Sequence, residues 1–169
     1  MGYKFSKVVG SIILGVFLVM LAGFTSIVSY TETAIALDYN KEILVEADFS
    51  GRDLTDSSFT KANLKQSNFS NSNLEGVSFF AANLESANFE GANLTNCTLD
   101  SGRFIKANFT NAILEGAFAA SARFDGAIID GADFTDVLLR SDEQKKLCKV
   151  AQGVNPVTKR DTRDTLMCP

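Results

Sequence analysis

The chain contains no histidine and no tryptophan, only two prolines and three cysteines. Without histidine it lacks the side chain that most often serves as a general base near neutral pH and as a metal ligand. No catalytic residue, metal site or cofactor is therefore assigned. Both prolines, Pro156 and Pro169, lie near the C-terminus. Residues 37–140 are thus free of the one residue that cannot donate to a continuous hydrogen-bond ladder. Cations are outnumbered, 16 Lys+Arg against 20 Asp+Glu. Residues 37–140 hold 8 basic and 15 acidic side chains, a net of −7, whereas residues 141–169 hold 6 and 4, a net of +2. An acidic body argues against binding that works by neutralising phosphates, so no nucleic-acid partner is expected.

Long apolar runs are confined to the N-terminus. Lys4 and Lys7 precede an uncharged stretch from Val8 to Thr31, and Ala34-Ile35-Ala36 follows with the small-x-small pattern of a signal-peptidase site. Residues 1–36 are expected to be an export signal. The stretch is also long enough for an uncleaved membrane anchor, and that alternative stays open. Both readings send the rest of the chain out of the cytoplasm and limit membrane contact to this segment.

From Phe49 onward a large apolar residue recurs at every fifth position. The series runs through Leu54, Phe59, Leu64 and Phe69 to Leu114 without a break, is interrupted at Ala119, and resumes in phase from Phe124 to Leu139. Two positions before each stands a small residue, as in Ala62, Ser67, Ala82 and Ala92. The stretch 81–94, AANLESANFEGANL, shows the unit A-N-[LF]-x-x plainly. A period of five fits neither an α-helix nor a strand and points to a solenoid. If each pentad makes one side and one turn, four sides close a 20-residue coil. Phe49, Phe69, Phe89 and Phe109 then stack on one side and Leu54, Leu74, Leu94 and Leu114 on the next. A three-sided coil would lose this order.

These residues resemble the pentapeptide-repeat family over residues 47–140. The resemblance implies an all-β fold, a right-handed quadrilateral β-helix, here with a short helical C-terminal cap. Arg52 and Gly102 depart from the small corner position, with Arg52 expected to distort the first coil. Ala119 leaves a centre underfilled.

Solenoid ends expose apolar surface and unpaired edges, so caps are expected on both sides. Residues 37–46 are assigned to the first and residues 141–169 to the second. In the latter, Ser141-Asp142-Glu143-Gln144 fits a helical capping box, Leu147, Val150 and Ala151 form one helical face, Asn155-Pro156 marks a turn, and a second helix is expected over roughly 162–167. Cys148 and Cys168 bracket this tail and are read as a disulfide, with two packed free thiols as the alternative. Cys97 is read as a buried small hydrophobe. The tail from Leu147 to Cys168 is similar to that of pentapeptide proteins of the thylakoid lumen and the cyanobacterial extracytoplasmic space, which implies a lumenal or periplasmic location.

Outward carboxylates such as Asp48 and Asp53 have asparagines one coil above them, so no paired acid and base is specified. The positions that stand out are outward but apolar: Ile113, Phe118, Ile128 and Leu138. They form a candidate interaction patch for a protein partner. The competing expectation is that the tail folds back over Phe118 and Leu138. The function expected is that of a non-enzymatic interaction scaffold. A DNA-mimicking topoisomerase inhibitor is the alternative implied by the family resemblance, and the export signal runs against it.

Overall fold

The computed structural model describes residues 37–169 with the exception of Asp56. The expected export segment lies outside the described residues. The described residues form a coil that advances by 20 residues per turn. Parallel bridges join Asp38 to Ser58, Ile43 to Asn63, Asp48 to Asn68 and Asp53 to Asn73, and each of these four columns continues upward in steps of 20. The first side carries Ser58, Ser78, Thr98 and Phe118; the second Asn63, Asn83, Arg103 and Arg123. The third carries Asn68, Asn88, Asn108 and Ile128; the fourth Asn73, Asn93, Ile113 and Asp133. The first column ends in a pair of two-residue parallel strands, β1 (Phe118–Ala119) and β2 (Leu138–Leu139). Five steps at β-sheet spacing give a height of about 24 Å.

Each pentad makes its side with one outward and one inward residue and then turns. At Phe59 the turn closes with the Ala62 N–H donating to the Phe59 carbonyl at 3.0 Å, and Lys61 has φ +60°. Positive φ at the third residue is the type II signature, which favours glycine or asparagine. Gly91 and Asn71 take this place, although Gln66, Ser86 and Lys61 do so as well. The fold thus places a left-handed residue in almost every described turn, the one at Ser121 excepted, even where the side chain disfavours it. Between coils the backbone is paired at nearly every step: Phe89 N–H donates to Asn108, Gly91 to Thr110, and Asn88 to Ser67, at 2.7–2.9 Å, while the Ser121 N–H turns to the Asp100 carboxylate. Outward asparagines add a second ladder on the third side, where the amide of Asn68 donates to Asp48, Asn88 to Asn68, and Asn108 to Asn88.

The core is a double column of stacked rings. Phe49, Phe69, Phe89 and Phe109 stack along the third side with centroids 5.0–5.1 Å apart. Tyr39, Phe59 and Phe79 stack along the first, and the columns meet edge to face across the centre, as for Phe59 and Phe69 at 5.6 Å. Leucines of the second and fourth sides fill the rest. At Leu99 the first side gives up its phenylalanine and the second side gains Phe104, which stacks on Phe124 at 5.3 Å. In the last coil, Phe124 and Phe134 make up the volume that Ala119 lacks, and all three are buried.

That exchange explains Gly102. A Cβ there would lie 2.6 Å from the Phe104 ring and 2.8 Å from the Leu99 carbonyl. The corner that alanine fills elsewhere is occupied by the ring itself. Gly102→Ala is expected to cost about 1–3 kcal/mol by overpacking, and Phe104→Leu in the same chain should recover part of it. Equal losses with Phe and with Leu at position 104, in thermal melts, would refute this coupling.

Three expectations are corrected. Residues 37–46 are not a cap preceding the coil but its first two sides, because Tyr39 and Leu44 stand in phase with Phe49 and Leu54. The Tyr39 ring stacks on Phe59 at 4.7 Å, and its N–H donates to Ser58 at 2.8 Å. Arg52 leaves the ladder intact, since Asn73 still donates to its carbonyl at 2.9 Å, and its guanidinium lies over the Phe49 ring at 5.4 Å. The capping box at Ser141 does not form: helix α1 (Ser141–Leu147) has Arg140 at its N-cap and no side-chain cap bond. Its would-be capping partner, Gln144, instead donates across the tail to the Leu166 carbonyl at 2.6 Å. Helix α2 spans Thr162–Thr165, capped by the Asp161 carboxylate accepting from the Arg163 N–H.

Candidate docking surface

The four apolar positions do not form one patch. Phe118 and Leu138 are neighbours on the first side, paired in register through β1 and β2, and are 44% and 55% exposed. Ile128 ends the asparagine column of the third side and is half exposed. Ile113 is half-buried on the fourth side, between Asn93 and Asp133. Only the first pair is a continuous surface, two side chains wide in the axial direction. Above it, Leu138 borders a cleft of about 180 Å³ lined also by Val137, Leu166 and Met167.

The tail does not fold back over Phe118 and Leu138, contrary to expectation, because its anchors lie elsewhere. Residue Asn155 is fully buried and its amide reaches three backbone carbonyls, those of Asn111 (3.2 Å), Ala112 (3.3 Å) and Gly131 (2.9 Å). Its side-chain oxygen accepts from Val157 and Thr158, so every polar atom of this amide is used. The Gly131 N–H donates to Gln152, extending the coil's ladder by one strand of tail. Arg160 then pairs with Glu115 at 2.6 Å and with the fully buried Asp133 at 3.2 Å on the fourth side. Across the end of the solenoid, buried Glu143 of α1 accepts from the Phe124 N–H at 2.7 Å and pairs with Lys146 at 2.9 Å. A disulfide joins Cys148 to Cys168 and ties the two helical pieces together. Cys97 is a buried free thiol whose hydrogen points at the Leu74 carbonyl, and burial pushes its pKa up, away from the reactive thiolate.

In the sequence Asn155 reads only as part of a turn, Glu143 only as part of a capping box, and nothing marks Arg160. Their signal is weak, for they serve contacts 19 to 45 residues distant in the chain. Among the described residues no group of three Cys, Asp or Glu side chains could hold a metal ion.

With this geometry in place, two family models match: "Pentapeptide repeat region" over residues 36–102 and "Pentapeptide repeats (8 copies)" over residues 103–140. The chain belongs to the pentapeptide-repeat family. Among solved structures it is similar to a pentapeptide-repeat protein from the Arabidopsis thaliana thylakoid lumen, 44% identical, covering 77% of this chain and 90% of that one with a TM-score of 0.76. It also matches the Arabidopsis thaliana chloroplastic thylakoid lumenal 15 kDa protein 1, 65% identical over 37 residues. That match covers 22% of this chain and 16% of the relative, so the chain spans about a sixth of the length of this curated protein. A third likeness is to HetL of the cyanobacterium Nostoc, a protein involved in heterocyst differentiation regulation, at 26% identity over 56% of this chain and 46% of that one with a TM-score of 0.35. Members of the family form right-handed β-helices, the fold to which the four ladders of this pentapeptide-repeat protein belong.

The Arg160 anchor makes tail docking acid-sensitive. Burial alone pushes the Asp133 carboxyl up, but the bonds from Thr135 and the charge of Arg160 outweigh it, and its pKa lies below the ordinary 3.8. A lowered carboxyl contributes stability above its unfolded pKa and loses it as pH falls through the folded value. Thermal melts of this pentapeptide-repeat protein should therefore be flat from neutrality to about pH 5 and fall below that. Asp133→Asn should flatten part of the acid limb. An unchanged acid limb in that variant would refute the assignment.

Proposed function

We propose that the chain is a non-enzymatic scaffold acting outside the cytoplasm, in a thylakoid lumen or periplasm, that holds a protein partner against its first side. The location is supported by the likeness to thylakoid-lumen pentapeptide-repeat proteins and by the expected export signal. One observation carries the interaction role: Phe118 and Leu138 lie side by side on a flat wall, exposed, although a tail is present that is anchored away from them. Neighbouring outward positions on this side are small and polar, as at Ser78 and Thr98, so the pair stands out as apolar area whose removal from water would favour association.

The test is Phe118→Asp in the full chain. A residue 44% exposed on a regular wall contributes little to the fold, so the melting temperature should stay nearly unchanged. A crosslink formed by the wild-type chain in its native membrane fraction should disappear. A strongly lowered melting temperature with an unaltered crosslink pattern would overturn the docking role of this side.

A further inference from the structure

The net acidity of the solenoid conceals a separation of charge across its square section. Of the eight basic residues in 37–140, seven fall on the second side or its two flanking turns, and only Arg52 lies elsewhere. Five acidic residues share that side. On the other three sides of 37–140 nine described carboxylates accompany one cation, and Arg160 of the tail pairs with two of them. One wall is therefore net positive and the remaining three strongly negative.

The positive wall has features that the fold does not require. Arg103 and Arg123 are direct neighbours in the second column, bridged one coil apart and both exposed. Like charges opposed across a ladder are destabilising. Arg123 is compensated by Asp125 at 3.0 Å, and Lys65 by Glu85 at 3.0 Å. Arg103 and Lys106 have no ion pair among the described residues. Lys146 of α1 extends the wall upward through its pair with Asp125. In the same column the side-chain oxygens of Asn63 and Asn83 are enclosed without a hydrogen-bond partner, whereas the third side hands each such bond to the next coil. The third side shows how this architecture satisfies an outward column; the second departs from it twice, in charge and in hydrogen bonding.

We infer that the second side is the docking surface for a carboxylate-bearing partner protein, engaged at Arg103, Arg123 and Lys106. The inference deepens the scaffold reading by giving the chemistry of a partner, but rests on a different wall from Phe118. An anionic lipid surface offers the same kind of charge and fits less well. Glu85 and Asp125 stand among the cations and would meet a uniform field of like sign, as would the nine carboxylates beyond. A protein surface can set its acids opposite Arg103 and its bases opposite Glu85. A second copy of this chain is less suited too, since Arg160 already neutralises part of the fourth side that would face the positive wall.

The experiment uses the full chain and poly-L-glutamate as the probe. A protein of net charge −4 is not expected to bind a polyanion unless its positive charge is segregated. Binding is expected at low ionic strength and should weaken steeply as salt is added. Arg103→Glu with Arg123→Glu should weaken it about tenfold or more, and the milder Arg103→Gln with Arg123→Gln by less, with melting temperatures unchanged. Arg52→Glu removes a cation from another wall and should leave binding as it was. No binding, or equal loss with Arg52→Glu, would overturn the inference. Binding to phosphatidylcholine vesicles that rises on adding phosphatidylglycerol and vanishes in the double variant would transfer the site to lipid and overturn it as stated. A salt-sensitive dimer in sedimentation, lost in that variant, would do the same in favour of self-association. Failure of the Phe118 crosslink test would leave this result standing, and the reverse holds as well.

Discussion

Replacing Phe89 by alanine lowers the free energy of unfolding by about 3–5 kcal/mol, the range for an aromatic removed from a core that cannot collapse. The reason for the upper part of that range is geometric. Phe89 is fully buried and stacked at 5.1 Å on Phe69 below and 5.0 Å on Phe109 above, with Phe79 edge-on at 5.8 Å. Its neighbours cannot move inward, because the backbone beside the ring is pinned by ladder bonds to the coils on either side, from Asn88 to Ser67 at 2.9 Å and from Phe89 to Asn108 at 2.7 Å. The cavity therefore persists, and the lost ring–ring contacts add to the transfer cost. The adjacent Glu90 points outward and is exposed, so Glu90→Ala should change stability by less than about 0.5 kcal/mol. Denaturant titration of both variants measures the contrast. Similar, small losses at the two positions would mean that the inward and outward registers have been misassigned.

The core of this fold is legible because the period is rigid. Once Phe69 and Phe89 are seen to stand 20 apart, the side, the inward direction and the stacking partner of every fifth residue follow without further information. Legibility ends where residue identity stops reporting position. Tyr39 and Leu44 are in phase with the repeat, yet they lie among charged neighbours that read as a separate segment, so the sequence pattern alone starts the first coil ten residues too late. The tail is harder still. Glu143, Asn155 and Arg160 are ordinary polar residues in sequence, and their roles depend on which carbonyl or carboxylate the three-dimensional path brings near. The capping box at Ser141 shows the same limit from the other side: a good local motif is overridden because Gln144 has a better partner at Leu166.

Charge illustrates a third kind of limit. The net of −7 over residues 37–140 invites comparison with an acidic rod, and the DNA-mimic alternative rests on that impression. Folding the same charges onto four walls produces one wall whose sign is opposite, with Arg103 above Asn83 and below Arg123. A duplex presents negative charge in every direction around its axis, so this wall weighs against mimicry. Net charge is a property of composition, whereas a partner meets one side at a time.

Asn155→Ala should release the tail, at a cost of about 2–4 kcal/mol, and the loss should be local before it is global. The wild-type amide, itself fully buried, donates to the carbonyls of Asn111, Ala112 and Gly131 and accepts from Val157 and Thr158. The Ala112 carbonyl keeps its ladder bond from Asp133, but alanine leaves the Asn111 and Gly131 carbonyls without this partner, and each unsatisfied buried group costs roughly 1–3 kcal/mol before relaxation. Relaxation is available here because the tail can lift away and let water in, which holds the total below the sum. The disulfide between Cys148 and Cys168 does not prevent this, since it links two points of the tail to each other. What remains are the Arg160 pairs with Glu115 and Asp133 and the α1 anchor at Glu143. In hydrogen exchange, the amides of Gly131, Asn155 and Thr162 should lose protection, while those of Phe69 and Phe89 keep it. Asn155→Asp should be no milder than alanine, because a carboxylate placed against three carbonyl oxygens has no hydrogen to give. If both variants melt at the wild-type temperature and exchange as the wild type does, the buried amide is not what fastens the tail, and the Arg160 and Glu143 contacts must carry it alone.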